Sequence, residues 1–297
     1  MLAKSKKNSS RLFLMVLLLL STSCNHLFYY PQKDVLYPPE NFGIIYEPKT
    51  FTSLDGTKLN AWYFPAQSGE KKSKINKDPK GTIIQFHGNA ENMTSHYLSL
   101  AWLIHEGYNL FSFDYRGYGK SEGEPTPEGT VKDGVAAIRE ILKDERTSAK
   151  SKILVAWGQS LGGAIMQRSI EELAEDERKR LHLVVLDSTF SSYKTVAAST
   201  LRKSAVTWLI SPLAYILVSN SYGAEKFYKS NQSAVLIVHD ELDNVVPYSN
   251  GKDINHKIES PNKTFWHPRI GGHVRTFAAD QPEWRQKLLQ FLESTKR

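Results

Sequence analysis

The chain has 297 residues, enough for one large α/β domain or two small ones, with 40% hydrophobic and 23% charged residues. That composition excludes collagen-like, disulfide-rich and wholly disordered chains. The formal charge of +7 falls to +3 once the four cations Lys4, Lys6, Lys7 and Arg11 are set aside, which leaves no nucleic-acid footprint.

Those four cations precede the apolar run Leu12 to Leu20, LFLMVLLLL, too short for a span of about 20 residues. A basic start followed by a short apolar core reads as a secretory signal over residues 1–23. Ser21-Thr22-Ser23 then leads to Cys24, the only cysteine. This resembles a bacterial lipobox, in which the cysteine becomes the lipid-bearing N-terminus. Ser21 stands where the usual leucine is expected, with Leu20 one place earlier. The reading predicts an exported lipoprotein held to the membrane through Cys24, the alternative being an ordinary leader. One cysteine permits no internal disulfide.

Residues 24–42 read as a linker, and from position 25 they are rich in Tyr and Pro without helical or strand period. They are expected to run extended along the domain that follows, 43–297. In that domain, short runs rich in β-branched and aromatic residues predict strands at Lys58–Phe64, Thr82–Phe86, Asn109–Phe113, Ile153–Trp157, Leu183–Leu186 and Ala234–Val238. Amphipathic stretches predict helices at Met93–His105, Glu128–Lys143, Leu161–Leu173 and Pro282–Leu292. The alternation implies an α/β fold: a mostly parallel twisted sheet with helices on both faces and an antiparallel edge at its start. Gly69 to Lys80, with five lysines, reads as a solvated loop. The segment 188–232 is too long for a plain crossover and contains the apolar run Ala205–Val218, kinked at Pro212. It reads as a small helical lid that either packs on the domain or lines an acyl site.

Gly158-Gln159-Ser160-Leu161-Gly162 is a G-x-S-x-G pattern, weak alone but placed between a strand and a helix. Such a turn strains the backbone and exposes the serine hydroxyl above the sheet, while the glycines remove side chains that would collide. A serine hydroxyl needs a base to take its proton, and the base needs an acid to fix its tautomer. Along chains of this type the order is Ser, acid, His. Asp243 follows the strand Ala234–Val238 and precedes Val245-Val246-Pro247; His273 follows Gly271-Gly272. Asp187, Asp240 and Glu241 are rival acids and His267 a rival base, less well placed. The N–H groups of Leu161 and of Asn89, in the loop His87-Gly88-Asn89-Ala90, are candidates for an oxyanion hole. His87 reads as a packed residue that holds the loop.

The segment Gln85–Asn92, then Asp114-Tyr115-Arg116-Gly117-Tyr118-Gly119-Lys120-Ser121, then G-Q-S-L-G-G, D-x-x-V-P and G-G-H resemble the compact α/β-hydrolase-domain family over roughly residues 44 to 292. Members are described as esterases, lysophospholipid lipases or protein depalmitoylases, often under serine-aminopeptidase-type labels. The resemblance implies the α/β-hydrolase fold and a serine hydrolase that cleaves small-molecule or lipid esters or thioesters. It also implies that Asp114 and Arg116 brace a loop. A departure is Asp240, where the family usually has glycine. A peptidase on the same triad and a non-catalytic binding lipoprotein are the alternatives. With no metal-ligand cluster, dinucleotide fingerprint or Walker sequence, no metal or cofactor is expected, and oligomeric state is not legible.

Overall fold

The computed structural model describes residues 28–68, 74–147, 152–202, 206–224 and 227–295. The leader, Cys24 and part of the lysine-rich loop therefore lie outside the described residues. Eight strands form the main sheet: β1 (Glu47–Thr52), β2 (Lys58–Phe64), β3 (Gly81–Phe86), β4 (Tyr108–Phe113), β5 (Ile153–Gln159), β6 (Leu183–Asp187), β7 (Ala234–Val238) and β8 (Lys263–Trp266). Their spatial order is β1-β2-β4-β3-β5-β6-β7-β8. β2 runs antiparallel to both β1 and β4, and every other pairing is parallel.

All residues of β3, β4, β5 and β6 are buried, which is why β5 and β6 open on unbroken apolar runs, while β3 and β4 bury the polar Thr82, Gln85, Asn109 and Ser112 as well. Successive side chains go to opposite faces. Ile84, Phe86, Leu154 and Ala156 join the core beneath α1 (Pro127–Lys143) and α2 (Leu161–Glu171). Ile83, Ile153, Val155 and Trp157 join the core covered by α5 (Pro282–Ser294) and the turns of 93–106. The chain enters α1 through Thr126, whose hydroxyl accepts the Gly129 N–H at 3.0 Å, with Pro127 at the first helical position.

Two expectations need correction. β1 went unread because Glu47, Pro48, Lys49 and Thr50 carry little apolar signal on an exposed edge. The helix expected over Met93–His105 is instead three short pieces, Met93–His96, Tyr97–Ser99 and Ala101–Glu106, the last two 3₁₀. The His96 carbonyl, which an α-helix would offer to Leu100, accepts from Gln85 Nε2 at 2.9 Å and Ser99 Oγ at 2.8 Å. Leu100 N–H turns to Tyr97 O instead.

The chain passes from β3 outward to β4, then crosses back over β3 to β5. This reversal opens a crevice at the carboxyl ends of β3 and β5, where open α/β sheets place ligands. The loop of residues 87–92 and Ser160 both sit there.

Candidate active site

Ser160 lies between the end of β5 and the start of α2 with φ 53° and ψ −122°, a conformation that costs a non-glycine residue about 1–3 kcal/mol. Its neighbours hold it there. Ser160 N–H donates to the Asp187 carbonyl at 2.9 Å, and its own carbonyl accepts from Thr189 Oγ1 at 2.6 Å. The flanking glycine is demanded by packing, since a Cβ on Gly162 would stand 2.2 Å from the Phe86 carbonyl oxygen.

Asp243 and His273, 30 residues apart, meet with His273 Nδ1 2.8 Å from Asp243 Oδ2. The other carboxylate oxygen accepts the N–H groups of Val245 and Val246 at 2.8 and 2.9 Å. The Asp243 carboxylate is fully shielded from water, whereas His273 keeps partial access. With Nδ1–H donated to the carboxylate, Nε2 retains its lone pair and can accept a proton.

Asp240 has a purpose that sequence reading missed. Its Oδ2 accepts from the N–H groups of Ile270 and Gly271 at 2.8 and 3.0 Å, and Oδ1 accepts from Leu242 at 2.7 Å. One carboxylate thereby ties the Asp243 loop to the His273 loop. The chain reaches His273 through Gly271 and Gly272, at φ 85° and 110°, which only glycine adopts freely.

The rival groups are engaged elsewhere. Asp187 Oδ2 accepts from Gln159 Nε2 at 3.3 Å and Trp157 Nε1 at 3.4 Å, and burial pushes its carboxyl up to about 6. Glu241 binds His267 Nδ1 at 2.9 Å on the surface, so the rival acid and base pair with each other. His87 is buried against Tyr115, with Nδ1 donating to Gly88 O at 2.8 Å, and desolvation holds its pKa well below the usual value. Arg116 is clamped between Asp55 and Asp133. The Asp114 carboxylate accepts Met93 N–H at 2.7 Å, and burial raises its pKa to about 7.

A cavity of 680 Å³ opens over Ser160. Leu161, first residue of α2, and Asn89 both line it. A helix's first N–H groups have no carbonyl a turn behind them. The Asn89 carbonyl is fixed by Tyr30 N–H at 2.9 Å and the Tyr118 hydroxyl at 2.8 Å. The far wall comes from residues 190–218: α3 (Tyr193–Arg202), the 3₁₀ turn Trp208–Leu213 and α4 (Ala214–Leu217). Val196, Leu201, Ile210, Leu213 and Leu217 present the apolar surface.

A family profile described as Serine aminopeptidase, S33 matches residues 77–242. YfhR of Escherichia coli strain K12 is 31% identical over 271 residues, covering 91% of this chain and 87% of YfhR. The chain belongs to this S33 family. The alpha/beta hydrolase domain-containing protein WAV2 of Arabidopsis thaliana is 28% identical over 273 residues, covering 86% of this chain and 82% of WAV2. Among solved structures, an esterase of Pyrococcus furiosus superposes with a TM-score of 0.70 at 20% identity, over 91% of this chain and 99% of the esterase. This S33 family member therefore has the α/β-hydrolase fold and is a hydrolase.

Sequence reading of the S33 chain did not find Phe28, Phe190 or Val245, all of which line the cavity. The aromatic run Phe28-Tyr29-Tyr30 in an otherwise featureless lead-in was the available signal.

Proposed function

We propose that the chain cleaves carboxylic esters or thioesters through an acyl-enzyme on Ser160, with His273 as the base and Asp243 as the acid that orients it. The observation that carries this reading is the His273 Nδ1 to Asp243 Oδ2 contact of 2.8 Å, in a site whose strained serine opens onto an apolar cavity. In the first step, Ser160 Oγ attacks the carbonyl carbon and His273 Nε2 takes the hydroxyl proton. The oxyanion is received by the N–H groups of Leu161 and Asn89, aided by the positive end of α2. The leaving alcohol or thiol takes the proton from His273. A water activated by the same imidazole then releases the acid and regenerates Ser160.

The residues 188–232 act as a lid, and the apolar cavity receives the acyl chain. The family description favours a peptidase on the same triad. An aminopeptidase has to hold a substrate ammonium, however, and no Asp or Glu is among the described residues that line the cavity. That supports an ester substrate. The basic, apolar and small-residue pattern ending at Cys24 supports an exported enzyme tethered to the bacterial envelope by lipid on that cysteine.

Nitrophenyl esters of two to sixteen carbons and a fluorophosphonate probe test the proposal together. The wild-type chain is expected to label and turn over. Ser160→Ala should lose labelling and about 10⁴-fold or more in kcat while remaining folded. Unchanged turnover in that variant refutes the nucleophile, and an unlabelled wild type supports a binding protein instead. Mass spectrometry of the mature N-terminus checks the tether: a free terminus elsewhere than Cys24 refutes it.

A further inference from the structure

The wall that closes the cavity has a second side. Residues 206–218 contain no charged side chain, and their outward positions are apolar: Val206 is 86% exposed, Leu209 68% and Ile216 76%, with Trp208 and Tyr215 beside them. Exposed apolar residues scattered singly need no explanation, but this many within eleven consecutive positions form an interaction surface. The same short helices turn Ala214 and Leu217 toward the cavity, so whatever covers the outer side lies directly against the substrate compartment.

We propose that this outer side of the cap docks into a lipid bilayer, and that acyl esters pass from the bilayer into the cavity without crossing water. Three observations favour a bilayer over a protein partner. Trp208 and Tyr215 accompany the aliphatic residues, the mixture that settles at the boundary between headgroups and acyl chains. No carboxylate within 206–218 opposes an anionic headgroup. Phe28 lines the cavity and packs edge-on against Tyr193 of α3 with ring centroids 5.2 Å apart. Cys24 is four residues earlier, a reach of at most about 14 Å. A lipid there brings the bilayer to the side of the molecule that bears the cap. The passage of substrate rests on the ester-hydrolase reading; the docking itself does not.

The test uses the full chain reconstituted into phosphatidylcholine vesicles with and without brominated acyl chains. The Trp208 signal is the difference between wild type and Trp208→Phe. Docking predicts that bromolipid quenches this signal and that Leu209→Glu/Ile216→Glu abolishes the quenching. That double variant should also lose about tenfold in turnover of long-chain esters presented in vesicles, while turnover of a dissolved acetate ester stays within about twofold. The acetate reaction controls for a misfolded cap, and the wild-type quenching does not depend on the double variant. A Trp208 signal untouched by bromolipid on vesicle-bound protein overturns the proposal. In that event, a mass by light scattering that halves in the double variant identifies a second copy as the occupant. Quenching without any ester turnover in the wild type refutes the proposed function and leaves the docking face in place.

Discussion

The loops at the carboxyl ends of β5, β7 and β8 and the cap over residues 190–218 face each other across one cavity and are built on opposite principles. The loops are held by directed bonds: Asp243 and Asp240 together accept five backbone N–H groups, and Ser160 is pinned through both its N–H and its carbonyl. In the cap, Phe190, Tyr193, Val196, Ala198, Ala214 and Val218 join the hydrophobic core, and much of the rest of its surface faces solvent. Polar bonds fix a geometry to a fraction of an ångström, which proton transfer needs. Apolar contact tolerates sliding and repacking, which suits the reception of a flexible acyl chain. On the proposed ester-hydrolase reading, the difference assigns reaction rate to one wall and substrate choice to the other.

The largest effect that can break this division comes from Asp243→Asn. It should favour the wrong imidazole tautomer and lower kcat by about 10³–10⁴ with the fold retained. Asp187→Asn should stay within about tenfold of wild type in the same ester assay. If Asp187→Asn proves the slower variant, the orienting acid sits at the end of β6.

Asp187 sharpens the comparison through stability. Burial holds its carboxyl at about 6 against an ordinary 3.8, so between those pH values the folded chain keeps a proton that the unfolded chain has released. Its ionisation therefore opposes folding by an amount that grows as pH rises from about 4 to 6 and is constant above. Asp187→Asn removes that penalty. Relative to wild type, the variant should gain stability across this window, up to about 3 kcal/mol, and then hold level. Urea denaturation at pH 4, 5, 6 and 8 measures it; a difference independent of pH contradicts the assignment.

Asp240→Ala should cost about tenfold in kcat by freeing the His273 loop, with KM nearly unchanged because the cavity wall is untouched. Asp240→Asn, which keeps an acceptor, should recover part of the loss. A purely structural role would lower stability without this split between kcat and KM.

The smallest effect per step belongs to the cap. Each methylene it shields should raise kcat/KM nearly fourfold, or about 0.8 kcal/mol, until the cavity is full. Leu213→Glu should depress the ratio of eight-carbon to two-carbon turnover. A flat chain-length profile in the wild type would leave the cap a packing element.

How much of this was legible depended on whether the information was local. β2 and β7 match the residues expected for them, and β3 to β6 extend by one or two, because short segments rich in β-branched and aromatic residues mark strands locally. The strand-turn-helix setting of Ser160 was likewise local. The breaks in 93–106 were not, because they follow from Gln85 reaching a carbonyl eleven residues away. Nor was the role of Asp240, which from sequence is only a charge near another acid. Its meaning appears once Ile270 and Gly271 lie against it. The cavity wall was half legible: the apolar run was visible, but which side of it faces inward is a property of the folded chain.

The stretch before residue 43 carries one more consequence. Tyr30 and Pro31 pair in parallel with Ala90 and Glu91, Tyr29 is buried, and Asn92 Nδ2 donates to the carbonyls of Gln32 and Asp34. This ribbon is a seam stitched along the edge of the loop that carries Asn89. A shortened chain beginning at residue 43 would keep every strand of the main sheet yet lose that seam. A tether attached upstream would pull on Phe28 and this seam before it pulled on the main sheet.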